Sequence, residues 1–278
     1  MKFKNKNSKL FVQYLVLILV ALIFITPIFW LVSNSFKSMN ERLFTYPPRL
    51  IPQQPTLNNF REAIDLVNIF RSTFNSFVIA ISTVALNLLF CSLTAYPLAR
   101  MNFAGKNGIL ILILATFMIP TQAIIVPLFI LVQKMGLVDT YAAVILPLGI
   151  TAFGIFLLRN AFITIPGELE EAARIDGCSE FGIFYKIMLP LVKPSLAALA
   201  ILQFVTIWNR FLWPMITLRN VEIQTLQIRL VKLARGLFGA DWRVLSAAAF
   251  MVAIPVIIFF LIFQKFFISG VTEGALKQ

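Results

Sequence analysis

Histidine is absent from this 278-residue chain, and cysteine occurs only twice, as Cys91 in an apolar run and Cys178 in a polar one. That is too little material for a zinc site, a histidine-based triad or a disulfide framework, so most hydrolytic and metal chemistry is disfavoured. Charge is scarce as well: 13% of residues carry it, and no Asp or Glu falls in any of the long apolar windows given below. An ion-coupled carrier would usually keep an acid or a histidine inside its spans, and an intramembrane enzyme would need a nucleophile and a base there, so both classes are disfavoured. A phosphate-cradling loop is missing too. The one Gly-Lys pair, Gly105-Lys106, is followed by Asn107 and has no suitable glycine ahead of it, so ATP hydrolysis cannot be this chain's own work.

What is present is grease. Hydrophobic residues make up 59% of the chain and the mean hydropathy is +0.88, which places it among multi-pass membrane proteins. Charge-free windows run over Leu10 to Phe36, Ser72 to Ala99, Asn107 to Gln133, Thr140 to Leu158 and Val244 to Gln264. Each meets the roughly 20 residues that a hydrocarbon core about 30 Å thick requires. The uncharged stretch between Lys193 and Arg210 is too short to cross, so a further span is expected to run through Arg210, from Ser195 to Leu218. The expectation is an all-α integral membrane protein with six transmembrane helices.

The net charge of +12 would suggest nucleic acid in a soluble domain, but here the basic residues sit in the short segments between apolar runs, where lipid headgroups and topology account for them. Lys2, Lys4, Lys6 and Lys9 precede the first window with no acid among them and no small-x-small cleavage site after them, which reads as an uncleaved first helix starting in the cytoplasm. Counted over all loops the bias nearly vanishes, 12 basic residues inside against 11 outside, so orientation rests on the first nine residues. The organisation is then 1–36, cytoplasmic start and first helix; 37–71, an extracytoplasmic loop; 72–267, the remaining membrane domain; and 268–278, a cytoplasmic tail.

In the 37–71 loop, Pro47, Pro48, Pro52 and Pro55 predict an extended path, with Thr56 or Asn58 capping a short helix over Asn59 to Leu66. Across Val221 to Leu237, Leu226, Leu230, Leu233 and Leu237 recur at helical spacing beside Arg229, Lys232 and Arg235, which predicts a connector lying on lipid. Prolines at 27, 97, 120, 127, 147, 214 and 255 fall inside apolar runs; they kink helices and free carbonyls, which suits a transporter better than an anchor.

One loop, 159–194, carries a specific signal. It holds five of the twelve acids (Glu168, Glu170, Glu171, Asp176, Glu180), and it reads as two short helices about a turn at Gly177 to Ser179. Pro166 suits the first helical turn, while Phe181, Phe184, Tyr185 and Met188 give the second helix one apolar face that something must cover. The small Ala172 and Ala173 would let the first helix sit deep in a groove of another protein, with Glu171 and Arg174 at its edge.

These residues resemble the membrane subunits of binding-protein-dependent ABC importers, whose motif is EAA, three residues, Gly, nine residues and Ile-x-Leu-Pro. All seven fixed positions are met, at Glu171, Ala172, Ala173, Gly177, Ile187, Leu189 and Pro190, a coincidence expected by chance about once in 10⁹ starting positions. The variant EAARIDG, which includes Asp176, is most similar to the carbohydrate branch, specifically the maltose-permease-like second subunit. FRSTFNSFVIA, AYPLARMNFAG, MIPTQAIIVPLF, GLVDTYAAVILP, WNRFLWP and GVTEGALKQ extend the likeness from Asn34 onward. The resemblance implies a type I ABC importer permease fold in a bacterial inner membrane, both termini cytoplasmic. It implies a loop that couples to one of two separate ATPase subunits, which would bind the ATP and Mg, and further partners in a second permease subunit and an external solute-binding protein. The implied function is alternating-access import of a sugar, with an oligosaccharide ahead of a polyol, glycerophosphodiester or uronide.

Candidate solute contacts are Gln122 and, in the fifth span, Trp208, Asn209, Arg210 and Trp213, since sugars take aromatic faces and amide or charged partners. A charge at mid-membrane costs about 2.5–3.5 kcal/mol, so Arg210 must snorkel, pair or line a cavity. The family more often has an acid after this Trp-Asn, and Arg210 departs from that. Trp208 and Trp213 read equally as packing or interfacial residues, and the in-span amides Asn87 and Gln122 as interhelical hydrogen bonds.

Overall fold

The computed structural model describes residues 3–47, 49–236 and 241–275, with side chains between Leu10 and Phe263 of those ranges; the basic side chains of the first nine residues, Leu237 and the end of the tail lie outside them. Its helices are α1 (Phe3–Ser35), α2 (Asn58–Val67), α3 (Ile69–Arg100), α4 (Lys106–Ala115), α5 (Thr121–Lys134), α6 (Tyr141–Ile145), α7 (Ala152–Ile163), α8 (Glu168–Ile175), α9 (Glu180–Ile183), α10 (Leu189–Leu191), α11 (Lys193–Trp208), α12 (Leu212–Thr217), α13 (Leu226–Ala234) and α14 (Trp242–Ala275). The chain divides into two compact units, Met1–Phe70 with Arg229–Ile254, and Arg71–Ile228 with Pro255–Gln278.

In the first unit, α1 buries none of its most apolar 18-residue window, so its surface is left for lipid or other protein. The following loop is pinned rather than merely extended. Lys37 is fully buried where α1 ends, and its Nζ donates to Asn34 Oδ1 and to the Arg49 carbonyl, both at 2.8 Å. Burial holds that ammonium below its ordinary pKa, and the Glu41 carboxylate partly offsets this. Asn59 Nδ2 donates to the carbonyls of Ser35 (2.9 Å) and Lys37 (2.8 Å), satisfying groups that the end of α1 exposes. No side chain caps α2; Thr56 Oγ1 instead accepts from the Asn58 amide at 3.2 Å.

In the second unit, three expected spans are not single rods. Lys106–Met118 and Thr121–Lys134 meet at 104°, Tyr141–Leu148 and Ala152–Ile163 at 43°, and Glu180–Leu191 and Lys193–Trp208 at 74°. The sequence window Asn107 to Gln133 breaks at Ile119 and Pro120, because a residue before proline is pushed to extended backbone and Ile119 has φ −88°, ψ 114°. The window Thr140 to Leu158 breaks after Pro147, and α7 runs on to Ile163. The span drawn from Ser195 to Leu218 starts earlier, at Lys193, and its helix stops at Trp208, with Arg210 in the break before α12. α1, α3 and α14 are each long and apolar enough to cross a membrane, and counting each bent pair as one span raises the candidates among the described residues to as many as six. At the other end, α14 continues through Ala275, into the segment expected as a tail.

A part-buried polar knot holds the α6–α7 break. Thr151 Oγ1 accepts from the Gly154 amide (3.2 Å), Gln203 Nε2 of α11 (3.0 Å) and Asn87 Nδ2 of α3 (3.2 Å), so Asn87 makes the interhelical bond expected of it. The segment expected to lie on lipid is corrected: among its described residues a 3-10 turn over Val221–Ile223 precedes the helix Leu226–Ala234, and Leu226, Ile228 and Leu233 are each 1% exposed, so they pack into protein. The helix entry is fixed where the Leu226 amide donates to Ser76 Oγ at 2.9 Å. Gly154 has no room for a side chain: a Cβ there would stand 2.7 Å from Cys91 Sγ and 3.1 Å from Asn87 Oδ1. Gly154→Ala is therefore expected to destabilise the protein by about 1–3 kcal/mol. A lowered Tm of the purified protein, partly restored by adding Cys91→Ala, checks this; an unchanged Tm contradicts it.

Candidate functional site

Loop 159–194 is built as the acids and glycine dictate, with one shift: Pro166 and Gly167 precede α8, which begins at Glu168. Glu168, Glu170 and Glu171 fill its first turn at the positive end of the helix dipole. Gly177 ends it at φ +79°, and the Cys178 amide bonds back to the Ala173 carbonyl at 2.9 Å. Ser179 then caps α9 by accepting from the Gly182 amide at 3.2 Å. Arg174 Nε and Glu180 Oε1 close the turn at 2.7 Å, which holds the Glu180 carboxyl below its ordinary pKa. Both side chains are about half exposed, so the clamp orders the turn more than it stabilises the fold.

The motif residues divide between two faces. Ala173 (5% exposed), Ile183, Phe184 and Met188 are buried in this chain's own core with Tyr96 and Phe162, and Ile187 and Leu189 pack partly against it. The Phe184 ring lies 5.2 Å from that of Tyr96. This corrects the expectation that both alanines enter another protein's groove: neighbours on a helix point about 100° apart, and only Ala172 is exposed. It also divides the apolar stripe of the second helix. The stripe straddles the edge of the core, so Phe184 and Met188 are buried while Phe181 and Tyr185 stay 68% and 63% exposed. The outward face of the loop thus comprises Leu169, Glu171, Ala172, Ile175, Phe181 and Tyr185, with Asp176 and Gly177 at the turn. Pro190, in α10, is partly buried.

Glu170 is the anchor, and it was overlooked among its acidic neighbours. It is 5% exposed; Oε1 accepts from Tyr96 Oη at 3.1 Å and Oε2 from Arg100 Nε at 2.8 Å, while Arg100 Nη1 donates to the Ile165 carbonyl at 3.0 Å. α8 is thereby bolted to the last turn of α3. The available signal was the AYPLAR stretch, which supplies both partners.

A second site lies where three helix breaks meet. A cavity of about 300 Å³ is lined by Thr121 and Gln122 at the start of α5, Pro147 and Leu148 after α6, and Arg210, Phe211 and Trp213 around the break before α12. Of the expected solute contacts it gathers Gln122, Arg210 and Trp213. Trp208 lies outside the lining, buried against Phe77 with ring centroids 4.9 Å apart, and exposed Asn209 spends its Nδ2 on the Val205 carbonyl at 2.9 Å. Trp213 is 3% exposed and its Nε1 donates to the Ala143 carbonyl at 3.0 Å, tying α12 to α6. Among the described residues no carboxylate pairs with Arg210.

Broken apolar helices around a cavity, with an amphipathic loop bolted to the end of one span, define a multi-pass membrane permease. The chain belongs to the family of binding-protein-dependent transport system inner membrane components, whose model matches residues 88–273. It is 41% identical over 260 residues to the arabinooligosaccharides transport system permease protein AraQ of Halalkalibacterium halodurans, covering 93% of each chain. It is 32% identical over 278 residues to the galactooligosaccharides transport system permease protein GanQ of Bacillus subtilis, covering 98% of this chain and 97% of that one. Its fold matches the crystal structure of a bacterial ABC transporter involved in the import of the acidic polysaccharide alginate, with a TM-score of 0.81 and 28% identity over 95% of this chain and 98% of that one.

Removing the Glu170 carboxylate would strand Arg100 and the Tyr96 hydroxyl in a mostly buried position. Glu170→Ala is expected to cost about 3–5 kcal/mol, and Glu170→Asp less. Thermal unfolding checks the order; equal stability of all three proteins contradicts it.

Proposed function

We propose that this chain is one of two similar permease subunits of an ATP-driven, binding-protein-dependent sugar importer, with an oligosaccharide as its solute. Two ATPase subunits bind the ATP and Mg, and an extracytoplasmic binding protein delivers the solute. Both termini and loop 159–194 face the cytoplasm, where α8 and the Gly177 turn dock on an ATPase subunit. Glu171, Ala172, Asp176 and Gly177 form the docking surface, while Ala173, Ile187, Leu189 and Pro190 seat the loop on its own core. The names of AraQ and GanQ and the alginate title support a saccharide solute. One observation carries the coupling: the loop keeps apolar and acidic side chains outward although it is locked from beneath by Glu170. A rigid but uncovered face is suited to passing a push from a partner into the bundle, since α8 cannot shift without α3.

Gly177→Asp and Glu171→Lys test this. A Cβ at Gly177 meets nothing within 4 Å, and the φ of +79° costs an aspartate only about 1–2 kcal/mol, so the protein should still insert and assemble. Both variants are expected to abolish solute uptake and solute-stimulated ATP hydrolysis in proteoliposomes. Uptake equal to that of the unmodified assembly in either variant would overturn the docking role.

A further inference from the structure

We propose that the cavity where the three helix breaks meet is an anion subsite, and that the solute is an acidic saccharide whose carboxylate, sulfonate or phosphate is read by Arg210. The proposal rests on the sugar-importer reading and narrows its substrate class.

Arg210 leaves the helical ladder as α11 ends; its amide bonds to the Ile207 carbonyl at 3.0 Å, and its side chain lines the cavity. It is the one charged residue in that lining, and no carboxylate of the described residues meets it. Nor could a neighbouring span supply one, because the six apolar windows contain no Asp or Glu. A guanidinium kept among apolar helices calls for an anion, and its planar fork matches an oxyanion in two parallel hydrogen bonds.

An independent feature of the same wall points the same way. The 14-residue helix α5 begins at Thr121 and Gln122 in the cavity wall, and no side chain caps it. Its first amides and the positive end of its dipole therefore add to the field of Arg210. Gln122 supplies an amide for hydroxyls, and Phe211 an apolar face for a sugar ring. Trp213 is fixed by its bond to Ala143, so the wall is held in shape before the solute arrives.

The test uses the whole assembly in nanodiscs without the binding protein, and measures equilibrium binding of trigalacturonate, glucose 6-phosphate and neutral galactotriose. Discs of phosphatidylcholine alone are compared with discs containing phosphatidylglycerol, which separates a solute anion from a lipid headgroup. One or both acidic probes should bind at least about tenfold more tightly than galactotriose. Arg210→Gln should erase that margin and leave galactotriose binding unchanged, while Arg210→Lys should keep part of it. Equal binding of all three probes, an acidic preference that survives Arg210→Gln, or loss of the preference only in phosphatidylglycerol discs would overturn the proposal. So would a variant that fails to assemble with its second permease subunit, which would assign Arg210 to an ion pair there. ATP-driven uptake of neutral sugars with no acidic preference would sink the subsite alone, whereas an assembly that takes up no saccharide at all would sink the sugar reading.

Discussion

The carboxylate of Glu170 is the point through which loop and bundle act as one body. It sits under an amphipathic helix and over the last turn of a long span, with a phenol on one oxygen and a guanidinium on the other. A buried ion pair is a poor source of net stability, since desolvation consumes most of the Coulombic gain. Its value here is geometric. The pair fixes α8 against α3 in one orientation, and the apolar packing of Ala173, Ile183, Phe184 and Met188 excludes water around it. The exposed Arg174–Glu180 contact, though equally short, adds little energy and shapes only the turn.

The remainder of the second unit follows from breaks rather than rods. Proline at 120 and 147 and the departure from helix at Arg210 interrupt spans that composition alone would draw straight. Interrupted backbone inside a membrane must find partners in protein or in a polar cavity. One break does so through Thr151, which draws Asn87 and Gln203 from two other helices onto a single hydroxyl. The cavity beside α5 is lined by residues of the other two breaks, a mainly apolar wall that carries Thr121, Gln122 and Arg210.

Much of this was legible in the sequence. The five charge-free windows fall on α1, α3, the α4–α5 pair, the α6–α7 pair and α14, and the spacing from Glu171 to Pro190 located the loop, because both signals are local. What failed was long-range. The two alanines look equivalent in a string, yet a helix turns them apart and the core claims Ala173. Glu170 and Arg100 are 70 residues apart, and although AYPLAR supplies both partners, nothing beside Glu170 distinguishes it from the neighbouring acids. The 221–237 segment has the composition of a surface helix, but Leu226, Ile228 and Leu233 are buried in protein, and composition cannot tell lipid from protein as an apolar partner. The prolines marked where the spans break without giving the angles, which packing sets.

If α8 and α3 form one lever in the proposed importer, the separation between them must survive the transport cycle. Spin labels at the exposed positions Glu168→Cys and Asn102→Cys, in a Cys178→Ser background that leaves only the buried Cys91, report that separation by double electron–electron resonance. The same narrow distance distribution with and without ATP is expected in the assembled complex, while labels placed across the two permease subunits move. A shift or broadening of the Glu168–Asn102 distance on ATP binding would mean that the loop slides on its span, and the lever would be refuted.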